Sequence, residues 1–409
     1  MARESVQSAR RTRIGSLLLA QATQNFTLGA LALLLPLIRR DISMTFTEAG
    51  ALSVAATVSY AVMQVPSGYL GDRLGAHRVM IVGLLGLNGL TLLMATARSY
   101  LFLVIVLSVL GVFRSLAFAP GLRLITAEFP AERRATAMSS FVAAGFVSNL
   151  LLSVVAPPLA GPLGWRGLLV LFSAVSLVPV AVYAVVGRSA PPNRTLASRP
   201  DAAELRDLLR ERIVVLASVV QFARLAAVMS VRFWLPTYLI TDRDLSLSAA
   251  GWVVALGSVM SIGANLLGGH ISDEWQQPIL VIVTSLTVLV VTFVLLALTK
   301  NVTMIVVVVA VQSLFIQAYS GSLFEVPLIS LGERAAGTLN GFGNFWANVG
   351  GLVTTYVLGA VKDATGSFNA GWFCLAALCA VALAAALAMR QPARHDPVLS
   401  PSTSPLELT

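Results

Sequence analysis

Apolar runs of about 20 residues recur along the whole chain, and a run of that length crosses the hydrocarbon core of a bilayer as a helix. Twelve can be placed, at 14–38, 48–71, 77–97, 99–127, 136–158 and 165–187, then at 213–240, 248–271, 279–299, 303–328, 336–359 and 370–390. The chain is 57% hydrophobic and 11% charged, roughly half the charge fraction of a soluble protein. A transmembrane β-barrel would show short alternating segments instead. The first run follows Arg10, Arg11 and Arg13 and continues for about 25 residues, longer than a cleavable signal core.

The second constraint is an internal repeat. Gly68-Tyr69-Leu70-Gly71-Asp72-Arg73-Leu74-Gly75-Ala76-His77-Arg78 follows the second run, and a reduced copy, Gly269-His270-Ile271-Ser272-Asp273, follows the eighth. Asp72 and Asp273 are 201 residues apart. So are Thr47 and Ser248, each expected to cap a helix, and Gly50 and Gly251; Glu132-Arg133 matches Glu333-Arg334 at the same offset, and Pro36 matches Pro236 at 200. One offset held across three loops implies two similar halves. The expected fold is an all-α integral membrane protein, its twelve transmembrane helices in two pseudo-symmetric six-helix bundles.

The domains expected are an N-terminal bundle with its tail (1–187), a Pro-, Arg- and Asp-rich linker (188–212), a C-terminal bundle (213–390) and a disordered tail (391–409). Twelve spans put both termini on one side. Seventeen arginines fall on that side against seven basic residues opposite (Arg39, Arg40, Arg98, Arg166, Arg243, Lys300 and Lys362), which predicts cytoplasmic termini. The net charge of +9 therefore reads as orientation in a cell membrane, with no nucleic acid partner. Cys374 and Cys379 both sit in the last run, as small packing residues. No metal-ligand cluster, Walker-type loop or nucleotide fingerprint occurs, so no metal or cofactor is expected.

Gly68 to Arg78 resembles the signature loop between helices 2 and 3 of the major facilitator superfamily, Gly-x-Leu-x-Asp-Arg-x-Gly-x-x-Arg. The resemblance implies a central cavity lined mainly by helices 1, 4, 7 and 10, and alternating access by rocking of the halves. Asn340-Gly341-Phe342-Gly343-Asn344, Lys362-Asp363-Ala364-Thr365-Gly366-Ser367-Phe368 and Trp234-Leu235-Pro236-Thr237-Tyr238-Leu239 are similar to the anion:cation symporter branch and related organic-anion carriers. Helix 1 departs from that branch in lacking its arginine, and Arg114 lies further along helix 4 than the arginine usual there. The Gly-Pro motif of drug/proton antiporters is missing from helix 5, whose prolines, Pro157 and Pro158, come only at its end.

A charge inside a membrane helix costs about 2.5–3.5 kcal/mol even on the lenient insertion scale, so such residues face a cavity or a partner. Arg114, Arg123, Arg224 and Arg232 qualify, and no Asp or Glu lies near the middle of a span. The excess of guanidinium fits an anionic substrate, since it binds carboxylate through two parallel hydrogen bonds. Arg114, Arg224 and Arg232 are the candidate anion ligands, each weighed against a structural bond to a neighbouring helix. Gln221 falls between Arg224 and Arg232, which differ by about 80° around helix 7. Gln21, Gln24 and Asn25 on helix 1 and Gln312, Gln317 and Tyr319 on helix 10 are candidates to orient the substrate, weighed against interhelical bonding.

The signature loop has a mechanical reading. Gly68, Asp72, Arg73, Gly75 and Arg78 would form a latch, with Asp72 facing the start of helix 11 near Gly337 and Arg78 pairing with Glu128; the alternative is a role in topology and turn formation alone. Asp273 marks the weaker copy. Arg123 and Glu325 are expected as a gate ion pair between halves, Glu325 alternatively as a protonatable coupling group. The function expected is a secondary carrier of a small organic anion, driven by protons or by exchange. The partners are that anion, protons and the lipid bilayer, and the default state is a monomer. The alternative is a multidrug or lipophilic-compound exporter. No catalytic dyad points to an enzyme.

Overall fold

The computed structural model of the protein describes residues 2–129, 134–187, 210–275, 277–319, 322–323, 326 and 336–389, with side chains at 2–7, 134–136, 265–275 and 336–341 among those excepted. All regular structure among them is helical. The first half holds α1 (Ala2–Ile42), α2 (Phe46–Leu74), α3 (Ala76–Met94) and α4 (Tyr100–Ala127), then the long stretch Arg134–Val186. That stretch breaks at Gly164, whose φ of 63° suits a residue without Cβ. It therefore comprises two limbs, α5 (134–163) and α6 (165–186). The second half holds α7 (Arg212–Thr241), α8 (Leu247–Trp275), α9 (Pro278–Leu298), α10 (Val302–Ala318), α11 (Ala336–Thr365) and α12 (Asn369–Leu387). Among the described residues nine helices are long and apolar enough to cross a membrane, one of them the double-length Ser140–Val186.

Boundaries differ from the sequence reading in three places. α1 starts at Ala2 because polar residues continue the helix below its apolar run. The turn expected between 158 and 165 stays helical through Pro162, because a proline-freed carbonyl is tolerated in a bundle where neighbours supply partners. The caps lie two residues before those expected. Thr45, in a reciprocal capping box with Glu48, starts α2, and the Ser246 hydroxyl accepts from the Ala249 amide at 3.2 Å. Thr45 and Ser246 are still 201 residues apart.

α1–α6 pack mainly on one another, as do α7–α12, and the halves meet where α2 crosses α11, α5 crosses α8 and α1 faces α7. Under the 201-residue offset α2 corresponds to α8 and α5 to α11, so the first two crossings are one crossing used twice. Gly50 and Gly251 sit at these two points. A Cβ on Gly50 would lie 3.2 Å from the Thr355 carbonyl oxygen, and one on Gly251 would land on the Ser153 carbonyl. Membrane helices associate through such close packing of small residues. One buried apolar cluster, including Leu31, Leu35, Trp234 and Phe293, runs through both halves.

Candidate functional site

A cavity of about 100 Å³ lies between α5 of the first half and α7, α8 and α10 of the second. Val228, Val231, Leu235 and Val254 make its walls apolar, while Asn149, Ser258, Ser313 and Gln317 add polar groups. Arg232 is the one charged residue in the lining. Its Nη2 donates to the Asn25 side-chain oxygen at 2.9 Å and to the Asn149 side-chain oxygen at 3.5 Å. Both partners are neutral amides from the opposite half. A half-buried guanidinium beside a cavity, met only by amide dipoles among the described residues, retains a net positive charge toward an incoming anion.

The other candidates divide into those near this point and those held elsewhere. Arg114 stacks on the Tyr60 ring, 4.4 Å from its centroid, and lies within electrostatic reach of Arg232. Asn25 is a partner of Arg232, and Gln317 lines the cavity. Gln21 and Gln24 are buried and closed on each other, the Gln24 amide donating to Gln21 at 2.6 Å. Arg224 is buried away from the lining and donates from Nε to Gln221 at 3.0 Å. The expected polar stripe on α7 therefore splits, with Gln221 serving Arg224 and Arg232 reaching across to the other half. The Gln312 amide and the Tyr319 hydroxyl are buried with no hydrogen-bond partner among the described residues. Asn149 was absent from the sequence candidates. Its signal was one turn upstream, in Gly145, whose missing side chain lets Asn25 approach α5.

On the face opposite the termini, the halves are joined by a lock centred on Asp363, beyond the apolar span of α11. Its carboxylate accepts from the Phe46 amide at 3.0 Å and from the Thr47 amide and hydroxyl, both at 2.6 Å. These are the first amides of α2, where the helix dipole favours an anion. Phe46 itself packs edge-on against Phe368 at 5.7 Å and meets Trp234 at 6.2 Å. Burial pushes the Asp363 pKa up, but the bonds from Thr47 and Phe46, with Arg39 nearby, outweigh it and hold the group below the ordinary 3.8. A depressed pKa stabilises the locked arrangement above the ordinary value, and that contribution fades as pH falls through 3.8 toward the lowered one. Asp363→Asn is expected to reduce the locked fraction by about two- to fivefold, the scale of an exposed charged contact. It should also abolish the unlocking of the parent protein below about pH 4. Distances between spin labels on Ser43 and Ser367, read against pH, check this.

The family model of the Major Facilitator Superfamily matches residues 17–355. The chain belongs to this superfamily. Among curated relatives, the probable sulfoacetate transporter SauU of Cupriavidus necator is 25% identical over 377 residues, covering 86% of this chain and 87% of the relative. The probable galactarate/D-glucarate transporter GudP of Escherichia coli is 23% identical over 374 residues (81% and 82%), and the hexuronate transporter of Bacillus subtilis 20% over 399 residues (92% and 94%). A solved structure of a bacterial homolog to the human lysosomal transporter Spinster, inward-facing and unoccupied, superposes with a TM-score of 0.76 at 14% identity, covering 92% of this chain and 96% of that one. This major facilitator protein is thus a multi-pass membrane transporter, not an enzyme.

The superfamily's signature loop is arranged differently from the expected latch. Asp72 forms an ion pair with Arg123 of α4, within its own half. A full guanidinium charge on the helix packed beside it attracts a carboxylate more strongly than the partial charge of a helix end. Glu128 is not paired with Arg78. Arg13 of α1 donates to it at 3.2 Å, and Arg10 bonds its backbone carbonyl, while Arg78 is exposed. α1 runs further than the sequence implied and brings both arginines to this corner. Arg73 donates to the Tyr69 hydroxyl at 3.2 Å, and Gly75 turns the chain at φ 94°. Gly68 is open, with nothing within 4 Å of an added Cβ. Glu325 lies outside the described residues, and the side chains of Asp273 and of the first turns of α11, around Gly337, are not described.

Proposed function

We propose that this transporter is a secondary active carrier of a small carboxylate-type organic anion, moved by alternating access and driven by a proton gradient or by exchange. The observation that carries the reading is Arg232. It is a charged residue lining a cavity between the halves, met among the described residues only by neutral amides, with Arg114 within electrostatic reach. The relatives named for sulfoacetate, galactarate/D-glucarate and hexuronate support a substrate bearing at least one carboxylate or sulfonate. The crossings at α2–α11 and α5–α8 would be the hinge and seal between bundles 1–187 and 213–390, joined by the linker 188–212. The arginine excess on the terminal side supports cytoplasmic termini in the cell membrane. A chain that carries its own cavity supports a monomer as the working unit.

Ligand-induced thermal stabilisation of the purified protein tests the reading, since binding to the native state raises stability by mass action. The panel holds mono- and dicarboxylates, sugar acids, sulfonates and lipophilic cations. Ligand at a hundred times Kd should add about 2.7 kcal/mol, for one anion class only. Stabilisation by lipophilic cations alone would overturn it in favour of an exporter.

A further inference from the structure

Asn25 and Asn149 sit in a reciprocal seat between α1 and α5. Gly145 has no room for a Cβ, which would land on the Asn25 amide nitrogen, and a Cβ on Gly29 would lie 2.5 Å from the Asn149 side-chain oxygen. Each asparagine lies over a glycine of the other helix, and each glycine is four residues from the asparagine on its own helix, so all four share one contact face. The seat aims two amide oxygens at a single atom, Nη2 of Arg232, from the opposite half.

That choice of atom has a chemical consequence. A guanidinium grips a carboxylate through one of two forks, Nε with one terminal nitrogen or the two terminal nitrogens together. Nη2 is the terminal nitrogen directed to the same side as Nε, so it belongs to both forks. It has two hydrogens and two acceptors, so the arrangement that satisfies both asparagines gives one hydrogen to each. Nε and Nη1 make no hydrogen bond to the described residues, yet neither fork is open while both amides are held. A carboxylate can take single bonds only, until one amide lets go. The Asn149 contact, at 3.5 Å, lies at the limit of a hydrogen bond and is the one to yield.

Resting on the anion-carrier reading above, we propose that Asn149 and a substrate carboxylate compete for Arg232, so that two-point capture of the anion releases a contact between the two halves. Asn149 and Asn25 are then positioning residues. They hold the guanidinium in place when the site is empty, and their displacement ties occupancy to the freedom of the bundles to rock. The coupling is reciprocal, because a ligand that weakens the clip must bind more tightly once the clip is gone.

Two substitutions at one position give opposite signs. Asn149→Ala removes the competitor and should tighten binding of sulfoacetate or D-glucarate by about tenfold, the worth of one hydrogen bond to a charged group. Asn149→Asp, nearly isosteric, places a permanent carboxylate on Arg232 and should weaken the same anions by about a hundredfold or more. Dissociation constants come from ligand-induced stabilisation of the full chain, with the unliganded melting temperature as folding control. Asn149→Ser replaces Asn149→Ala if the latter does not fold. A purely structural asparagine would move both variants in the same direction. That result, or two unchanged affinities, overturns the competition while leaving the carrier reading intact. If no anion of the panel stabilises the unsubstituted protein, the carrier reading itself fails and the competition with it.

Discussion

Lys362→Met is expected to destabilise the second half by about 3–5 kcal/mol, the cost of leaving a buried charge without its partner. Lys362, in the last turn of α11, meets Asp242 at 2.5 Å, and the two side chains are only 9% and 6% exposed. Asp242 caps the end of α7 and is already committed. It accepts from the Phe368 amide at 2.9 Å and from the Thr241 hydroxyl at 2.9 Å, so it cannot turn to solvent without breaking the turn that carries Phe368. Lys362 also donates to the Gly366 carbonyl at 2.7 Å, closing the loop after α11. Asp242→Asn should cost less, because its carbonyl oxygen can still receive the Phe368 amide. The double replacement should cost less than the sum of the singles, since no unpaired charge remains. Thermal unfolding of the four proteins in one detergent measures the cycle. Additive losses would show that the pair is not coupled. Phe368 belongs to the aromatic group that receives Phe46 from the other half, so the same substitution is expected to loosen the lock around Asp363.

This segment shows what the sequence could and could not disclose. Lys362-Asp363-Ala364-Thr365-Gly366-Ser367-Phe368 was recognisable only as a resemblance, because its partners lie about 120 and 316 residues away. Folded, most of it has a task. Lys362 neutralises Asp242, Asp363 caps α2, Gly366 takes a φ of 72°, and Phe368 packs between Trp234 and Trp372. The spans were legible because apolar length is a local property. The offset of 201 residues was legible because the crossings of α2 with α11 and of α5 with α8 demand the same small residue twice, at Gly50 and Gly251. α11 packs as closely, with Gly350 against the Phe222 backbone. Pairings between charged groups were not legible. Each arginine near the signature loop had several carboxylates within reach of the chain, and helix rotation, which sequence spacing fixes only to within a few tens of degrees, decided among them. Asn149 is not legible in the sequence because an amide in an apolar run looks like packing until the guanidinium it meets is known.

Arg232→Gln is expected to weaken anion binding by about a hundredfold or more, whereas Arg224→Gln should change it by less than about threefold. The contrast rests on surroundings, since both residues lie on α7 and the sequence treated them as equals. Arg224 is buried and bonded to Gln221 three residues before it on the same helix, so removing its charge relieves burial without opening the cavity. Arg232 lines the cavity and its hydrogen-bond partners among the described residues are amides. Each hydrogen bond from a charged group is worth about 1.5–3 kcal/mol, and two of them to one carboxylate account for the expected loss. Glutamine keeps a donor that can still reach Asn25 or Asn149, so the half-to-half contact survives in part and the lost affinity reports charge. Arg232→Lys divides the remainder. It restores the charge as a point and not a fork, and should recover part of the affinity for monovalent anions but little of the discrimination between carboxylate geometries. Dissociation constants for mono- and dicarboxylates, measured on the four proteins by ligand-induced stabilisation, decide the matter. Equal losses at Arg224 and Arg232 would mean that the charge of α7 acts at a distance, and that the cavity lined by Arg232 is not where the anion is held.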